Sequence, residues 1–200
     1  MSEWELVGKP ALILIHMQYG ITHEAGGVAC FGHAKATRES GIISRHQSLL
    51  KAFRAKKLPV IYVNAVTDPN TLFPAYGKFW PTLKTTKANL PDTKDVEVIP
   101  ELTPLPGEPV LANWPFGMFT GSNLEKMLKD KEVETLALAG VATEMAILAA
   151  VLQAADLFYN VIVLRDACTS ANLNAHDAAM NWIIPPMALV TTTVDLLAHL

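Results

Sequence analysis

The chain has 200 residues, half of them hydrophobic, and a formal net charge of −3 spread along its length. This length suits one domain with a large core, so we expect a single domain over residues 1–200. The weak, dispersed charge argues against nucleic acid and against an anionic membrane surface as partners.

Six short apolar stretches are predicted strands. They are PALILIHM (10–17), PVIYVNAV (59–66), EPVLANW (108–114), VETLALAG (133–140), YNVIVLRDA (159–167) and MALVTT (187–192). Helices are predicted at 40–58, 121–131, 143–157, 174–184 and 193–200 from apolar residues at helical spacing and from capping residues. Ser40 and Thr143 are the expected caps of the first and third of these helices, and Ser122 lies at the start of the second. Residues 67–108 are predicted to be an irregular connection, and its length favours a functional loop.

Strands that alternate with helices, and that are apolar throughout, are typical of a parallel sheet covered on both faces. We therefore predict an α/β protein, a single-domain three-layer α/β/α fold with a six-stranded, mostly parallel sheet. Ligands of such sheets bind beyond the carboxyl ends of the strands, which directs attention to the residues that follow each strand.

The other bulk features predict the environment of the chain. The longest apolar run, from Met145 to Ala155, is interrupted by Gln153 and indicates a buried helix rather than a membrane span. The N-terminal segment is acidic and has no apolar signal region. Cys30 and Cys168 have no metal-ligand spacing, and the histidines lie singly. We expect a cytoplasmic, reduced protein that uses no metal and no cofactor.

Several strand ends resemble the isochorismatase-like family of cysteine hydrolases. The most specific segment is GVATE at 140–144, which follows a buried strand and opens a helix. ALILIHMQ, NWPFGMFTGSNLEKML and VIVLRDACTS also fit the family pattern, and the resemblance runs from about Pro10 to Val194. It implies the isochorismatase-like hydrolase fold and a chain that forms a homo-oligomer, a dimer or larger.

The same resemblance implies that the usual catalytic triad is replaced. Family members use a Cys nucleophile, an Asp base and a Lys, and these positions correspond here to Ala146, His16 and Asn113. A methyl group cannot attack a carbonyl, so the resemblance excludes a covalent intermediate at position 146. The retained GVAT turn implies a cis peptide bond that helps to aim a backbone N–H into the pocket. The helix that starts at Thr143 would favour an oxyanion there, with Val141, Ala142 and Ala146 beside the substrate.

His16 and Asn113 each have a functional and a structural interpretation. His16 follows a central strand, where an imidazole can act as an acid or a base, or can be a neutral group in a pocket wall. Asn113 can hold a carbonyl or amide of the substrate, or bond to the backbone at the strand end. Gln18 and Tyr19 follow His16 and are expected to reach the same pocket mouth.

Aromatic residues are predicted to line an apolar pocket, or to form a satellite core or an oligomer interface. Trp80, Trp114 and Phe116 are the candidate substrate contacts. The segment FPAYGKFW at 73–80 is unusually aromatic for an exposed loop, so we expect a ligand or a partner subunit to cover it.

Glu144 and Cys30 have less specific signals. Glu144 complements the dipole at a helix start or pairs with His16. Cys30 lies in a Gly-rich loop and is a small buried residue, or a displaced nucleophile with His33 or His23 beside it. Cys168, Asp166 and Ser170 are expected to be structural.

Three functions are compatible with these residues. The first is a cofactor-independent enzyme that acts on a small, flat, carbonyl- or enol-containing molecule by acid/base chemistry at His16. The second is a catalytically inactive pseudoenzyme that binds a small ligand or a partner protein. The third, compatible with either, is a self-associating subunit. A titratable His at the base position and an intact GVAT turn favour the enzyme.

Overall fold

The centre of the molecule is a sheet of six parallel strands in the order β3-β2-β1-β4-β5-β6. The computed structural model describes residues 4–113 and 116–200, so Trp114, a predicted contact, lies outside the described residues. The strands are β1 Pro10–Ile15, β2 Val60–Ala65, β3 Val110–Asn113, β4 Thr135–Val141, β5 Asn160–Thr169 and β6 Leu189–Thr191. This order confirms the predicted fold class.

The central strands are apolar on both faces because helices cover both sides of the sheet. In β1, Leu12 and Leu14 pack into one core, while Ala11, Ile13 and Ile15 pack into the other. All six residues of β1 are buried. Burial on both sides explains why the strand sequences are continuous apolar runs rather than alternating ones.

Helices are divided between the two faces. They are α1 Tyr19–Thr22, α2 His33–Ser40, α3 Ile42–Ala55, α4 Phe79–Thr86, α5 Leu124–Asp130, α6 Leu148–Asp156, α7 Leu173–Ala178 and α8 Thr193–His199. A π-helical turn, Thr143–Ile147, leads into α6, and another, Ala179–Ile183, extends α7. The first core contains buried residues of α3, α4 and α8, and the second contains those of α5, α6 and the two π-helical turns. No helix in the described part of the chain combines the length and the apolar character needed to cross a bilayer.

Three helices and two caps differ from the sequence-based expectation. The short helix α1, the polar helix α2 and the helix α4, inside the supposed irregular connection, were not predicted. Ser40 does not cap α3; it ends α2, and Gly41 separates the helices with a φ of 69°. Thr143 is not a cap either, since Ala142 precedes the π-helical turn and no side chain caps it.

The chain order reverses between β1 and β4, which lie side by side at the centre of the sheet. Crevices at such switch points are the usual ligand sites of open α/β sheets. Gly140, at the end of β4, has a φ of 134°, and a Cβ built on it would lie 2.0 Å from the carbonyl oxygen of Ile15. The two central strand ends therefore approach each other closely only because residue 140 has no side chain.

Candidate functional site

A cavity of about 50 Å³ lies at this switch point. Its floor comes from the strand ends, with His16, Ala65, Val141 and Ala142, and from Met145 and Ala146 in the π-helical turn. Its roof comes from the segments above, with Ile21, Val28, Phe31, His33, Phe79, Asn89 and Phe116. The volume is enough for about two water-sized molecules. Among the described residues, the lining is apolar and aromatic except for the side chains of His16, His33 and Asn89.

His16 is turned into this cavity by its backbone. Its N–H donates to the Val63 carbonyl at 2.8 Å, and its φ of 56° ends β1 in the left-handed region, where His is one of the more tolerated residues. The side chain is 6% exposed. Burial, and secondarily the charge of His33, lowers the pKa of His16 to about 4, so its imidazole is neutral at pH 7.

His33 is a cavity residue that was not singled out in its own right from the sequence. It begins α2, and its ring lines the cavity with His16. Burial lowers the pKa of His33, and the Glu144 carboxylate opposes this shift. The only sequence signal was its proximity to Cys30 in the Gly-rich loop. Glu144 lies in the first turn of the π-helical segment, as expected of a residue that complements the helix start, and its carboxylate accepts a hydrogen bond from Ser170 at 2.8 Å and acts electrostatically on His33.

The GVAT turn closes the cavity floor. The peptide bond between Val141 and Ala142 is cis, as the resemblance implied. Ala146 is 1% exposed and contributes a methyl group to the lining. The N–H groups of Met145 and Ile147 both donate to the Ala142 carbonyl at 3.2 Å, so these two donors are already used within the turn.

Asn113 and Thr143, two of the predicted catalytic residues, do not contribute side chains to the cavity lining. The Asn113 amide is buried and donates to the carbonyl of Gly117. The Thr143 hydroxyl donates to the Thr169 carbonyl at 3.2 Å and lies 2.8 Å from Nδ1 of His176. Both side chains are engaged in hydrogen bonds within the protein, and their roles in catalysis stay predictions.

Gln18 and Tyr19 also lie outside the lining. The Gln18 side chain is fully buried, and its amide bridges β2 to the segment that carries Asn89 and Asp95. Tyr19 stacks on His23 at a centroid distance of 4.0 Å. Neither side chain is part of the cavity lining, and their contact with a substrate stays a prediction.

An aromatic cluster forms the outer wall of the cavity. Phe79 lies 5.3 Å from Phe31 and 5.2 Å from Phe116, measured between ring centroids, and all three rings line the cavity. Trp80 lies 5.9 Å from Phe116 but packs behind it, outside the lining. Trp80 therefore supports the wall and does not itself line the cavity, where a substrate contact was predicted. In the same segment the Tyr76 side chain is exposed.

Neither cysteine lies in the cavity. Cys30 is exposed, so the expectation that it is a small buried residue is wrong, and it does not line this cavity. Cys168 is buried, and burial raises the pKa of its thiol to about 12. Asp166 accepts from the N–H of Thr193 at 2.7 Å, and Ser170 accepts from the N–H of Asn172 at 3.0 Å, as expected of structural residues.

Metal binding has no geometric support in the residues that the structure describes. Among residues 4–113 and 116–200, no three His, Cys, Asp or Glu side chains are grouped closely enough to hold a metal ion. The absence of a cofactor stays a prediction.

Known proteins resemble the chain over nearly its whole length. A family model described as the isochorismatase domain matches residues 10–195. The uncharacterized isochorismatase family protein YecD of Escherichia coli O157:H7 is 26% identical over 198 residues, which cover 94% of each chain. Ureidoacrylate amidohydrolase RutB of Pseudomonas syringae pv. syringae is 25% identical over 179 residues, covering 82% of this chain and 72% of that protein.

Solved structures agree with this assignment at the level of the fold. A cysteine hydrolase from Pseudomonas syringae pv. phaseolicola 1448A has a TM-score of 0.83 at 20% identity, and the match covers 96% of this chain and 92% of the other. N-carbamoylsarcosine amidase from Thermoplasma acidophilum has a TM-score of 0.73 at 24% identity, with 92% and 96% covered. The chain therefore belongs to the isochorismatase family.

Proposed function

We propose that this chain is an isochorismatase-family enzyme that works without a thiol nucleophile. It takes a small, flat, carbonyl- or enol-containing molecule into the cavity and uses His16 in proton transfer. The observation that carries the proposal is the His16 imidazole, which lines the cavity at the switch point of the sheet.

The lining supports a mechanism without a covalent cysteine intermediate. Ala146 contributes a methyl group where the resemblance places the thiol, while Cys30 and Cys168 both lie outside the cavity. His16 and Asn113 stand where the resemblance places the Asp and the Lys. We infer that all three triad positions are replaced.

The state of His16 favours a base over an acid. With a pKa of about 4, the imidazole is neutral at neutral pH, so it is not an acid of useful strength and its unprotonated ring nitrogen can accept a proton. It is a weak base, so it suits a proton made acidic by a neighbouring carbonyl group. Reactions that need His16 as an acid, such as protonation of an enol, are accordingly less favoured.

The size of the cavity sets a condition on binding. An engineered cavity that takes up benzene measures about 150 Å³, so a flat ring needs more room than the cavity of about 50 Å³ described above. In this proposal the rings of Phe31, Phe79 and Phe116 move outward as the molecule enters. The dipole at the start of the π-helical turn then favours negative charge that develops on the substrate oxygen.

A conversion screen tests this function. Small aromatic acids, amides, enol ethers and heterocycles are incubated with the wild type, His16→Ala and His23→Ala, and products are followed by mass spectrometry. His23 is exposed and lies outside the cavity, so it is the matched control. We expect one class to be converted by the wild type and His23→Ala, and about 100-fold more slowly by His16→Ala. Equal conversion by all three proteins would refute the role of His16.

The second candidate is a pseudoenzyme that binds a small ligand or a partner protein. It is favoured by the side chains of Asn113 and Thr143, which are engaged within the protein and do not line the cavity. Binding of a compound by the wild type and His16→Ala, with conversion by neither, would support it over the enzyme.

Self-association is proposed for either candidate. The side chains of Leu72 and Tyr76 are 96% and 90% exposed at the edge of the aromatic segment, where a second copy would cover them. Light scattering of the wild type and Tyr76→Ser gives the measurement, and a monomeric wild type would contradict the proposal.

A further inference from the structure

The cavity contains a second imidazole that the proposed function does not use. The ring of His33 lines the cavity, and its Nδ1 atom is buried with no hydrogen-bond partner among the described residues. A buried polar atom without a partner costs free energy, and most such atoms in native proteins have one. An unpartnered imidazole nitrogen beside a cavity therefore indicates that a bound molecule completes its hydrogen bonding.

Glu144 is next to Met145 and Ala146 of the cavity lining, in the π-helical turn, and a hydrogen bond holds its carboxylate in place. The Ser170 hydroxyl donates to its Oε1 atom at 2.8 Å, while Oε2 is buried and unpartnered among the described residues. Its carboxylate interacts electrostatically with His33 but does not itself line the cavity. Glu144 thus puts a fixed negative charge close to the ligand space without touching a ligand.

The charge around the cavity is unbalanced. Among the described residues, no Lys or Arg side chain lines it, and its polar groups are His16, His33 and Asn89. An anionic ligand would leave water, meet no cation in this lining and lie near Glu144, and these costs exceed the attraction of the dipole at the start of the π-helical turn. A neutral amide or carbonyl compound can instead exchange hydrogen bonds with the imidazoles.

We propose that His33 is a second ligand-contacting residue, that Glu144 is the positioning residue that acts on it, and that together they make the cavity select uncharged molecules over the matching carboxylates. The inference rests on the proposed function in one respect, that the same small molecule occupies the same cavity. It adds a substrate class, neutral carbonyl compounds, and a residue pair that determines it.

Two isosteric pairs test the selection. Acetamide with acetate, and benzamide with benzoate, are titrated by protein-observed NMR into the wild type, His33→Gln, Glu144→Gln and His23→Gln. The Gln at 144 keeps the acceptor for Ser170 and removes only the charge. We expect the wild type and His23→Gln to prefer the amides, Glu144→Gln to reduce that preference on the order of tenfold, and His33→Gln to weaken amide binding on the order of tenfold. Equal affinity for amide and carboxylate, preference for the carboxylate, or no binding of either pair to the wild type overturns the proposal.

A measurement without ligand tests the positioning role directly. The imidazole protons of His16, His33 and His23 are titrated with pH in the wild type and in Glu144→Gln. The groups that face His33 are Glu144 from the π-helical turn and His16 from the end of β1. Loss of the carboxylate should lower the titration midpoint of His33 and leave that of His23 unchanged. An unchanged midpoint of His33 would show that Glu144 does not act through it.

Failure of this inference is distinguishable from failure of the proposed function. If His33→Gln and Glu144→Gln bind as the wild type does while His16→Ala loses conversion, the selection is wrong and the function stands. If the charge preference depends on His33 and Glu144 while His16→Ala converts substrate normally, the selection stands and the function is wrong.

Discussion

Gln18 is the residue whose removal should most weaken the wall of the cavity. Its Nε2 atom donates to the carbonyls of Ala65 and Asp95, each at 2.9 Å, and its Oε1 atom accepts from the N–H of Ala65 at 2.6 Å. The side chain is fully buried. Gln18→Ala therefore takes this partner from three backbone groups at the junction between β2 and the segment that carries Asn89.

The loss of stability expected for Gln18→Ala follows from the number of backbone groups that it leaves without a hydrogen-bond partner. Each buried backbone group that loses its partner costs about 1 kcal/mol or more, so we expect Gln18→Ala to lower the free energy of unfolding by about 3 kcal/mol. Because Ala65 and Asn89 line the cavity, ligand binding should weaken as well. Urea unfolding at one fixed protein concentration, followed by circular dichroism, measures the loss.

Gln47 provides the matched control for this substitution. Its Nε2 atom donates to the Glu101 carbonyl at 3.2 Å, but the side chain is exposed. Gln47→Ala should change the free energy of unfolding by no more than about 0.5 kcal/mol. A loss for Gln18→Ala below about 1 kcal/mol, or equal to that of Gln47→Ala, would refute the view that Gln18 holds the wall together.

Three further predictions concern stability and reactivity. Burial lowers the pKa of His16 and of His46 to about 4, so the stability that comes from keeping both imidazoles neutral is fully present above pH 6.5 and is lost as the pH falls towards 4. Urea unfolding should therefore give a free energy of unfolding that is a few kcal/mol lower at pH 5 than at pH 7.5. Equal stability at the two pH values would contradict this prediction. Gly140→Ala adds a Cβ 2.0 Å from a carbonyl oxygen of β1 and should cost more than about 3 kcal/mol by the same assay, whereas a neutral effect would show that the strand ends can separate. Thiol titration of the native protein at pH 7.5 should detect Cys30 rapidly and Cys168 only after denaturation, and two fast thiols would show that the core opens.

The strands and the sheet could be predicted because burial on both faces leaves a continuous apolar run that few other structures tolerate. The helices α2 and α4 could not be predicted from the sequence. The sequence HAKATRES of α2 is mostly polar, and α4 contains Pro81 within a segment rich in Lys and Thr. Tertiary contacts, rather than local preference, decide the conformation of such segments.

Apart from Phe116 in the roof, the lining residues singled out from the sequence are those where the backbone itself forms the cavity. His16, Val141, Ala142 and Ala146 follow the two central strands, and strand ends at a switch point converge whatever their side chains are. His33 reaches the same cavity from a helix well separated from those strands in the chain, and no local pattern marks such a position.

The direction of polar side chains also could not be predicted from the sequence. Asn113 ends β3, as predicted, but its amide turns towards the Gly117 carbonyl. Position along a strand can be derived from the sequence, whereas the direction of a polar side chain depends on which backbone groups need a partner.

The division of the cavity into a floor and a roof has a consequence for how this protein can diversify. The floor is part of the sheet, where Gly140 allows little change and neighbouring strands share one core. The roof is supplied by Phe31, Phe79 and Phe116, which are only partly buried and come from connecting segments. Substitutions there can alter the shape of the binding space at small cost to the fold. Changes in substrate preference among descendants of this chain should accumulate in the roof while the strand ends stay the same.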